Sequence, residues 1–583
     1  MISYRAIRLY CYLLLWFAIL MVFMPCVGNQ FVDWDDLAFV TRNHHISTIS
    51  PASIRWMLTT FYQGAWHPLT WFSHALDRSL WGASSTYHHL VNVLIHSLNV
   101  LLFCSLVVRL LQAKVLSQRL QYITAFTAAL FFGIHPLRVE SVAWVAQRKD
   151  VLCAFFFLAS LIVYLSYARS ESSGSRGRYY LISLALCFAA LLSKPMAMTL
   201  PFVLLLIDWY PLERLTASTF WSRVREKIPF FVLAGLTAFL NMLAAGEGAV
   251  PFSYVPAHMR IMNAFCALVF YVRQTIAPSN LMPLYQLDRS LDYFGPRFIF
   301  CAVLVSLVTI VCVWRAWKRD RLWAAVWFYY LITIGPALGL FMSYRHAMAD
   351  RYTYLPTLGF WLLFGLGVSR LWEVSGRLSA PRAAKGGLIA CLVLLAFAYG
   401  HQTQRQISVW RNSETLWGHV IQHGKYVPAL AYFSLGKIME NKGEYDKAMA
   451  YYQTALSLNP KNNRYRAGIA NIISKKGNRK EALRIYEQIL QEEPDNSGAY
   501  VNVGRILALM GRLDQAVKAF DRALQLQPDN GQALLLIAIA YLEKGDKATA
   551  LDYYDKYLSK GFPAKPEVDR ELGKTTSNPL HIR

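Results

Sequence analysis

Long apolar runs separated by short basic loops fill the first 400 residues, and they leave few folds open. A run of roughly 18 or more apolar residues can cross a bilayer as a helix. In hydrocarbon every backbone polar group has to be satisfied within the segment, which selects helices or closed barrels. The composition agrees with helices in a membrane: of 583 residues, 55% are hydrophobic and only 16% are charged.

Eleven spans are expected, at about 9–27, 88–112, 121–135, 150–168, 179–193, 196–210, 228–245, 298–314, 322–342, 354–372 and 386–402. The first has Arg5 and Arg8 before it, and Phe23-Met24-Pro25-Cys26 lacks the small residues of a cleavage site, so it reads as a retained span. Basic clusters such as Arg223, Arg225 and Lys227, or Arg315, Lys318, Arg319 and Arg321, lie in short loops. The positive-inside bias then puts the N-terminus in the cytoplasm and the C-terminus outside. The count closes only if two apolar pieces, 137–148 and 258–277, do not cross. Both carry charges within the run (Arg138, Glu140, Arg260, Arg273) and read as half-helices or interfacial helices. The formal net charge of +24 follows from the loops, so anionic lipid is the expected partner and nucleic acid is not.

Composition changes after residue 402. Pro460, Pro494 and Pro528 recur every 34 residues, as do Gly443, Gly477, Gly511 and Gly545, and Ala448, Ala482, Ala516 and Ala550. This is the tetratricopeptide (TPR) period: glycine in the turn between two helices, a small alanine where they touch, and proline closing the unit. Four units are expected at 427–460, 461–494, 495–528 and 529–562, after a connector over 403–426 and before a tail over 563–583. Stacked units form a groove suited to an extended peptide. Trp410 and Trp417 in the connector read as interfacial anchors.

In this topology four charged stretches share the outer side, against the usual bias, and so call for an explanation. The first loop, about 28–87, is aromatic-rich, as if lying on the membrane, and carries Asp33, Asp35 and Asp36 beside Trp34. The second stretch brings His135, Arg138, Glu140, Arg148, Lys149 and Asp150; the third brings Lys194; the fourth brings Arg345, His346, Asp350 and Arg351. Carboxylates facing cations at a membrane surface suit transfer of a group activated by a lipid phosphate. The cations hold the departing phosphate and a carboxylate takes the proton of an incoming hydroxyl. Arg148, Lys149 and Asp150 also read as interfacial helix caps, and Lys194 as a snorkelling lysine. All nine cysteines fall in apolar segments, with no CxxC pair, which excludes a disulfide framework and a cysteine zinc site. His67, His88, His89 and His96 resemble a metal cluster only in spacing and read as packing residues, so no residue is assigned to a metal. A divalent cation at the aspartate cluster stays compatible with the same carboxylates.

The stretches WDDLAFVTRN, WHPLTWFSHALD, YHHLVNVLIHSLN, HPLRVESVAWVAQRKDVL and ADRYTYLPTLGF, in that order and followed by TPR units, resemble the transmembrane and TPR repeat-containing O-mannosyltransferase-like family, including its bacterial relatives. The resemblance implies a GT-C-type glycosyltransferase fold: an all-α polytopic bundle followed by a TPR superhelix. It implies a polyprenyl-phosphate sugar as donor, a hydroxyl of a protein or glycan as acceptor, and an acceptor held by the TPR groove. The catalytic carboxylate is expected to be Asp36, with Asp35 second. His135, Arg138, Glu140, Arg148, Lys194, Arg345, His346 and Arg351 are expected on the donor phosphate and sugar. The expected location is a bacterial inner membrane with the TPR units in the periplasm. Asp350, Lys194-Pro195 and Trp66-His67 depart from the family pattern and bear on sugar and acceptor choice. A membrane-tethered TPR scaffold without enzymatic activity, and an O-antigen-type ligase, are the alternative readings.

Overall fold

The computed structural model describes residues 4–112, 116–246, 255–288, 290–340, 346–424 and 426–573. It is all-α apart from one antiparallel pair, Tyr285–Gln286 with His346–Met348. It divides into two units, Met1–Tyr426 and Val427–Arg583.

Among the described residues of the first unit, six helices are long and apolar enough to cross a membrane: Ala6–Gly28, Ser85–Leu111, Val145–Arg169, Phe220–Ala245, Pro296–Trp317 and Pro381–Val409. They make the protein an integral membrane protein. A seventh crossing forms if Gln118–Gly133 and Pro136–Ala143, bent by 59° at their break, act as one span. The expected eleven is therefore not reached by length and composition. Gln118–Gly133 has 16 residues and Arg321–Ile334 has 14. At about 1.5 Å per residue, 16 residues rise only about 24 Å. Ser173–Ser193 opens on Arg176 and Arg178, and Leu358–Ser375 ends among Arg370 and Glu373. These shorter helices lean on the longer ones.

Two further expectations change. Residues 137–148 are not interfacial. They form three short turns, Pro136–Arg138, Val139–Ala143 and Val145–Gln147, and every residue is buried. A stretch holding Arg138, Glu140 and Arg148 survives there because each charge has protein partners. The first loop is also more than a surface strap. Its helices Pro51–Thr59 and Pro68–Trp81 enclose Ile46, Met57, Trp71 and Ala75, with Leu240 packed against them.

Small residues let the bundle close. A Cβ on Gly133 would collide with Ile19 and Val100, and one on Gly365 would collide with the Thr124 carbonyl. Gly133 thus lets its helix approach the first span and Ser85–Leu111, and Gly365 lets Leu358–Ser375 approach Gln118–Gly133.

In the second unit, four helix pairs run from Ala429–Asn441 to Lys547–Ser559. Gly443, Gly477, Gly511 and Gly545 all take positive φ, between 77° and 100°, at the turn inside each pair. A side chain there is strained, which explains the invariant spacing. Ala448, Ala482, Ala516 and Ala550 are each fully buried. The TPR reading holds in phase and in residue role.

Candidate functional site

The segment after the first span turns back on itself at Asp36. One carboxylate oxygen of Asp36 accepts from the Val32 N–H at 3.0 Å, the other from the Ala146 N–H at 2.8 Å. Asp36 thus ties the first loop to the buried turn 145–147, and it is only 1% exposed. Burial pushes its carboxyl up to about 7; the two N–H groups and Lys149 oppose that and Asp35 reinforces it. Asp35 differs. It is half-buried, and among the described residues nothing donates a hydrogen bond to its carboxylate. Its electrostatic partner is Lys149.

Aromatic stacking fixes this loop. Trp34 stacks on Trp144 with centroids 4.7 Å apart, and Trp410 and Trp417 lie 6.4 and 5.3 Å from it. Trp410 and Trp417 are almost completely buried. They are therefore not interfacial anchors, because the connector folds onto the loop and removes both rings from any surface. Backbone contacts complete the join: Gln30 N–H donates to the Arg411 carbonyl at 2.8 Å, and Asp33 N–H to Ser413 Oγ at 2.6 Å.

Opposite the carboxylates lie three cations. Arg351 pairs with Glu140, guanidinium to Oε1 at 2.5 Å and backbone N–H to Oε2 at 2.7 Å. Burial opposes its charge, but Glu140 and Tyr352 outweigh burial and hold it firmly protonated. Lys194 pairs with Asp150, whose other oxygen accepts from Ser141 Oγ at 3.3 Å. Lys149 lies over the Phe39 ring and interacts electrostatically with both Lys194 and Arg351. The Tyr352 ring has Arg351 at 4.9 Å and Lys194 at 5.7 Å. Next in the chain, Asp350 accepts from Tyr285 Oη at 2.9 Å; burial, then Glu140, raises its carboxyl well above the usual range.

Three sequence-expected residues stand elsewhere in role. Arg138 is fully buried, donating to the Thr353 carbonyl and Oγ1 at 3.0 Å each and to Thr357 Oγ1 at 3.3 Å. It pins the turn that carries Arg351. His135 caps the turn after it, accepting from the Leu137 N–H at 3.2 Å between Trp361 and Tyr399. Arg148 is also fully buried, with Asp77, the Ser73 hydroxyl, the His88 carbonyl and the Asn92 amide as partners. Arg345 lies outside the described residues, and His346 is described in backbone only, as the first residue of the strand His346–Met348.

Lys149 is among the charges the sequence groups on the outer side, but it is not among the residues expected on the donor. Beside Arg148 it reads as a second cap, yet successive helical residues point about 100° apart. One turns into the bundle and its neighbour toward the aspartates.

This much of the fold invites comparison. Family models described as tetratricopeptide repeat match residues 429–462, 474–522 and 510–566. Protein O-mannosyl-transferase TMTC1 of Homo sapiens is 25% identical over 484 residues, covering 73% of this chain and 53% of its own length. At this level the chain is similar to proteins named protein O-mannosyl-transferase. Protein O-mannosyl-transferase Tmtc3 of Drosophila melanogaster is 26% identical, covering 68% of this chain and 48% of its own. Protein O-mannosyl-transferase F38B6.6 of Caenorhabditis elegans is 23% identical, covering 75% and 61%. The chain spans about half the length of the curated relatives it matches. Among solved structures, MamA 41-end from Desulfovibrio magneticus RS-1 is 20% identical over 25% of this chain and 83% of its own, with a TM-score of 0.22, a likeness too slight to bear weight.

Proposed function

We propose that the chain is a GT-C-type membrane glycosyltransferase that moves a hexose, mannose by analogy with its relatives' names, from a polyprenyl-phosphate donor to a protein hydroxyl outside the cytoplasm. The observation that carries this reading is convergence. Asp35 and Asp36, from the first loop, interact electrostatically with Lys149, and Lys149 in turn with Lys194 and Arg351, from two further stretches.

The chemistry follows from the arrangement. A sugar linked to phosphate is activated because phosphate is a good leaving group. Asp35 takes the proton of the acceptor hydroxyl as that oxygen bonds to the sugar's anomeric carbon. The bond from that carbon to the phosphate oxygen breaks, and its electron pair stays on the phosphate. Lys149, Lys194 and Arg351 stabilise the added charge in a site shielded from water. A single displacement of this kind inverts the anomeric centre. Asp36 is the positioning residue, since both its oxygens are already engaged by the Val32 and Ala146 N–H groups and so fix the loop that carries Asp35. Glu140 and Asp150 hold Arg351 and Lys194 in place until phosphate arrives.

An apolar cavity of about 180 Å³ supports a lipid donor. Its lining includes Leu106, Leu161, Leu206, Val326, Tyr329 and Leu362. Leu358 and Gly359 also line it, seven and eight residues after Arg351. A polyprenyl tail is a hydrocarbon chain and fills such a space while its phosphate meets Arg351. The TPR units present the acceptor as an extended segment.

The test is transfer from a polyprenyl-phosphate mannose to a serine/threonine-rich peptide by the purified full chain. Asp35→Asn lowers the rate by about 10²–10⁴, as for loss of a general base. A wild-type rate in that variant removes Asp35 from the reaction.

A further inference from the structure

A second cluster of buried polar groups lies beside Arg148 and takes no part in the proposed transfer. His74 and Asp77 stand three residues apart on one face of the helix Pro68–Trp81, and His88 stands in the first turns of the helix Ser85–Leu111. Their exposures are 1%, 3% and 0%. We propose that His74, Asp77 and His88 form a binding site for one divalent transition-metal ion, with zinc as the best match.

The first argument is distance. His74 Nδ1 and His88 Nδ1 are 3.3 Å apart, and His88 Nδ1 lies 3.1 Å from Asp77 Oδ2. One ligand atom from each residue falls within 4.8 Å of the others. Ligands about 2.0–2.2 Å from a zinc ion stand about 3.0–3.5 Å from one another in tetrahedral or octahedral geometry. The cluster therefore presents two edges of a coordination polyhedron before any ion is placed.

The second argument is protonation. A carboxylate only accepts, so His88 Nδ1 has to donate to Asp77. His74 Nδ1, facing the same atom, then has only that already used proton to accept. If instead His74 donates to His88, the lone pair demanded of His88 no longer serves Asp77. No pair of neutral tautomers satisfies both contacts. A cation resolves the conflict, because both Nδ1 lone pairs and the carboxylate then point inward to one centre.

Two imidazoles and one carboxylate are the donor set of zinc and of similar borderline dications, rather than of magnesium or calcium. Arg148, which also touches Asp77, fits the scheme as an outer partner. A ligating carboxylate is commonly hydrogen-bonded in turn, and its lone pairs allow both contacts. The ion joins a helix of the first loop to a helix of the bundle, next to the residue that precedes Lys149. Its role is to clamp the loop that carries Asp35.

Zinc content of the full chain is the test. The chain is purified without a histidine tag, equilibrated with zinc, desalted and measured by mass spectrometry of the metal. The expected result is one zinc per chain, at least tenfold less in His74→Asn and in His88→Asn, and no loss in His401→Asn, whose imidazole is exposed. Wild-type protein without zinc above the detergent blank overturns the proposal, as does full retention in both variants. Should the variants fail to fold, X-ray absorption of zinc-loaded wild type decides. Scattering from two imidazoles in the first shell supports the site, and a shell without imidazole overturns it.

Discussion

Asp35 and Asp36 show how two neighbouring, identical side chains acquire different surroundings. Sequence alone ranked Asp36 first as base, because nothing in the string distinguishes two adjacent carboxylates. The difference is made by Ala146, over a hundred residues away, whose N–H occupies Asp36. The pH dependence separates them. Burial pushes the Asp36 carboxyl up to about 7, so its negative charge appears as pH rises through neutrality and strengthens the hydrogen bonds from Val32 and Ala146 that fix the loop carrying Asp35. The expected kcat/KM for transfer climbs through about pH 7 and then levels. Asp36→Asn removes that step and retains most of the transfer, while Asp35→Asn lowers the rate by about 10²–10⁴. A profile unchanged by Asp36→Asn would put the titrating group elsewhere. Arg351 makes a further prediction at this scale. Lysine cannot reproduce a guanidinium fork on Glu140 and a phosphate together. Arg351→Lys should cost on the order of tenfold in kcat/KM, or about 1.4 kcal/mol, measured at subsaturating donor. Of the expected cations, Arg351 and Lys194 pair with Glu140 and Asp150. Arg138 and Arg148 looked equivalent to them and turned out to be tied to the chain's own carbonyls, amide and carboxylate. Partner identity at such range is invisible to a linear reading, and for the same reason His74 and Asp77 attracted no notice beside His88.

At the scale of elements, the TPR helices were the most legible part of the chain, because their constraint is local. A turn needing positive φ recurs every 34 residues and only glycine meets it cheaply. Gly511, at φ 77°, tests this: Gly511→Ala should destabilise the repeat unit by about 1 kcal/mol, seen as a lower thermal midpoint by circular dichroism. The membrane helices were legible as apolar stretches and less so as crossings. Arg321–Ile334 and Gln118–Gly133 are apolar enough but short, and a hydropathy window does not distinguish a span from a helix leaning on one. Close approach is the stronger constraint within the bundle. Gly365→Val drives its side chain into the Thr124 backbone, which cannot swing aside as a side chain would. An overpacking cost of roughly 1–3 kcal/mol is expected, read as loss of monodisperse protein on heating in detergent.

Across the whole molecule, the first unit reaches Tyr426 and includes the connector. The expected boundary at residue 402 followed the end of hydropathy, but Trp410 and Trp417 stack into the base of the site and Arg411 and Ser413 hold its first loop. Deleting 403–426 should therefore abolish transfer even where the spans still insert. The central claim is that acid and cations from distant stretches meet around one lipid phosphate. A structure of the full chain with a polyprenyl-phosphate sugar bound tests it most directly. The account predicts phosphate density between Arg351, Lys194 and Lys149, the anomeric carbon facing Asp35, and the tail in the apolar cavity under Leu358. Donor density elsewhere in the bundle, with Asp35 facing only water, would contradict it.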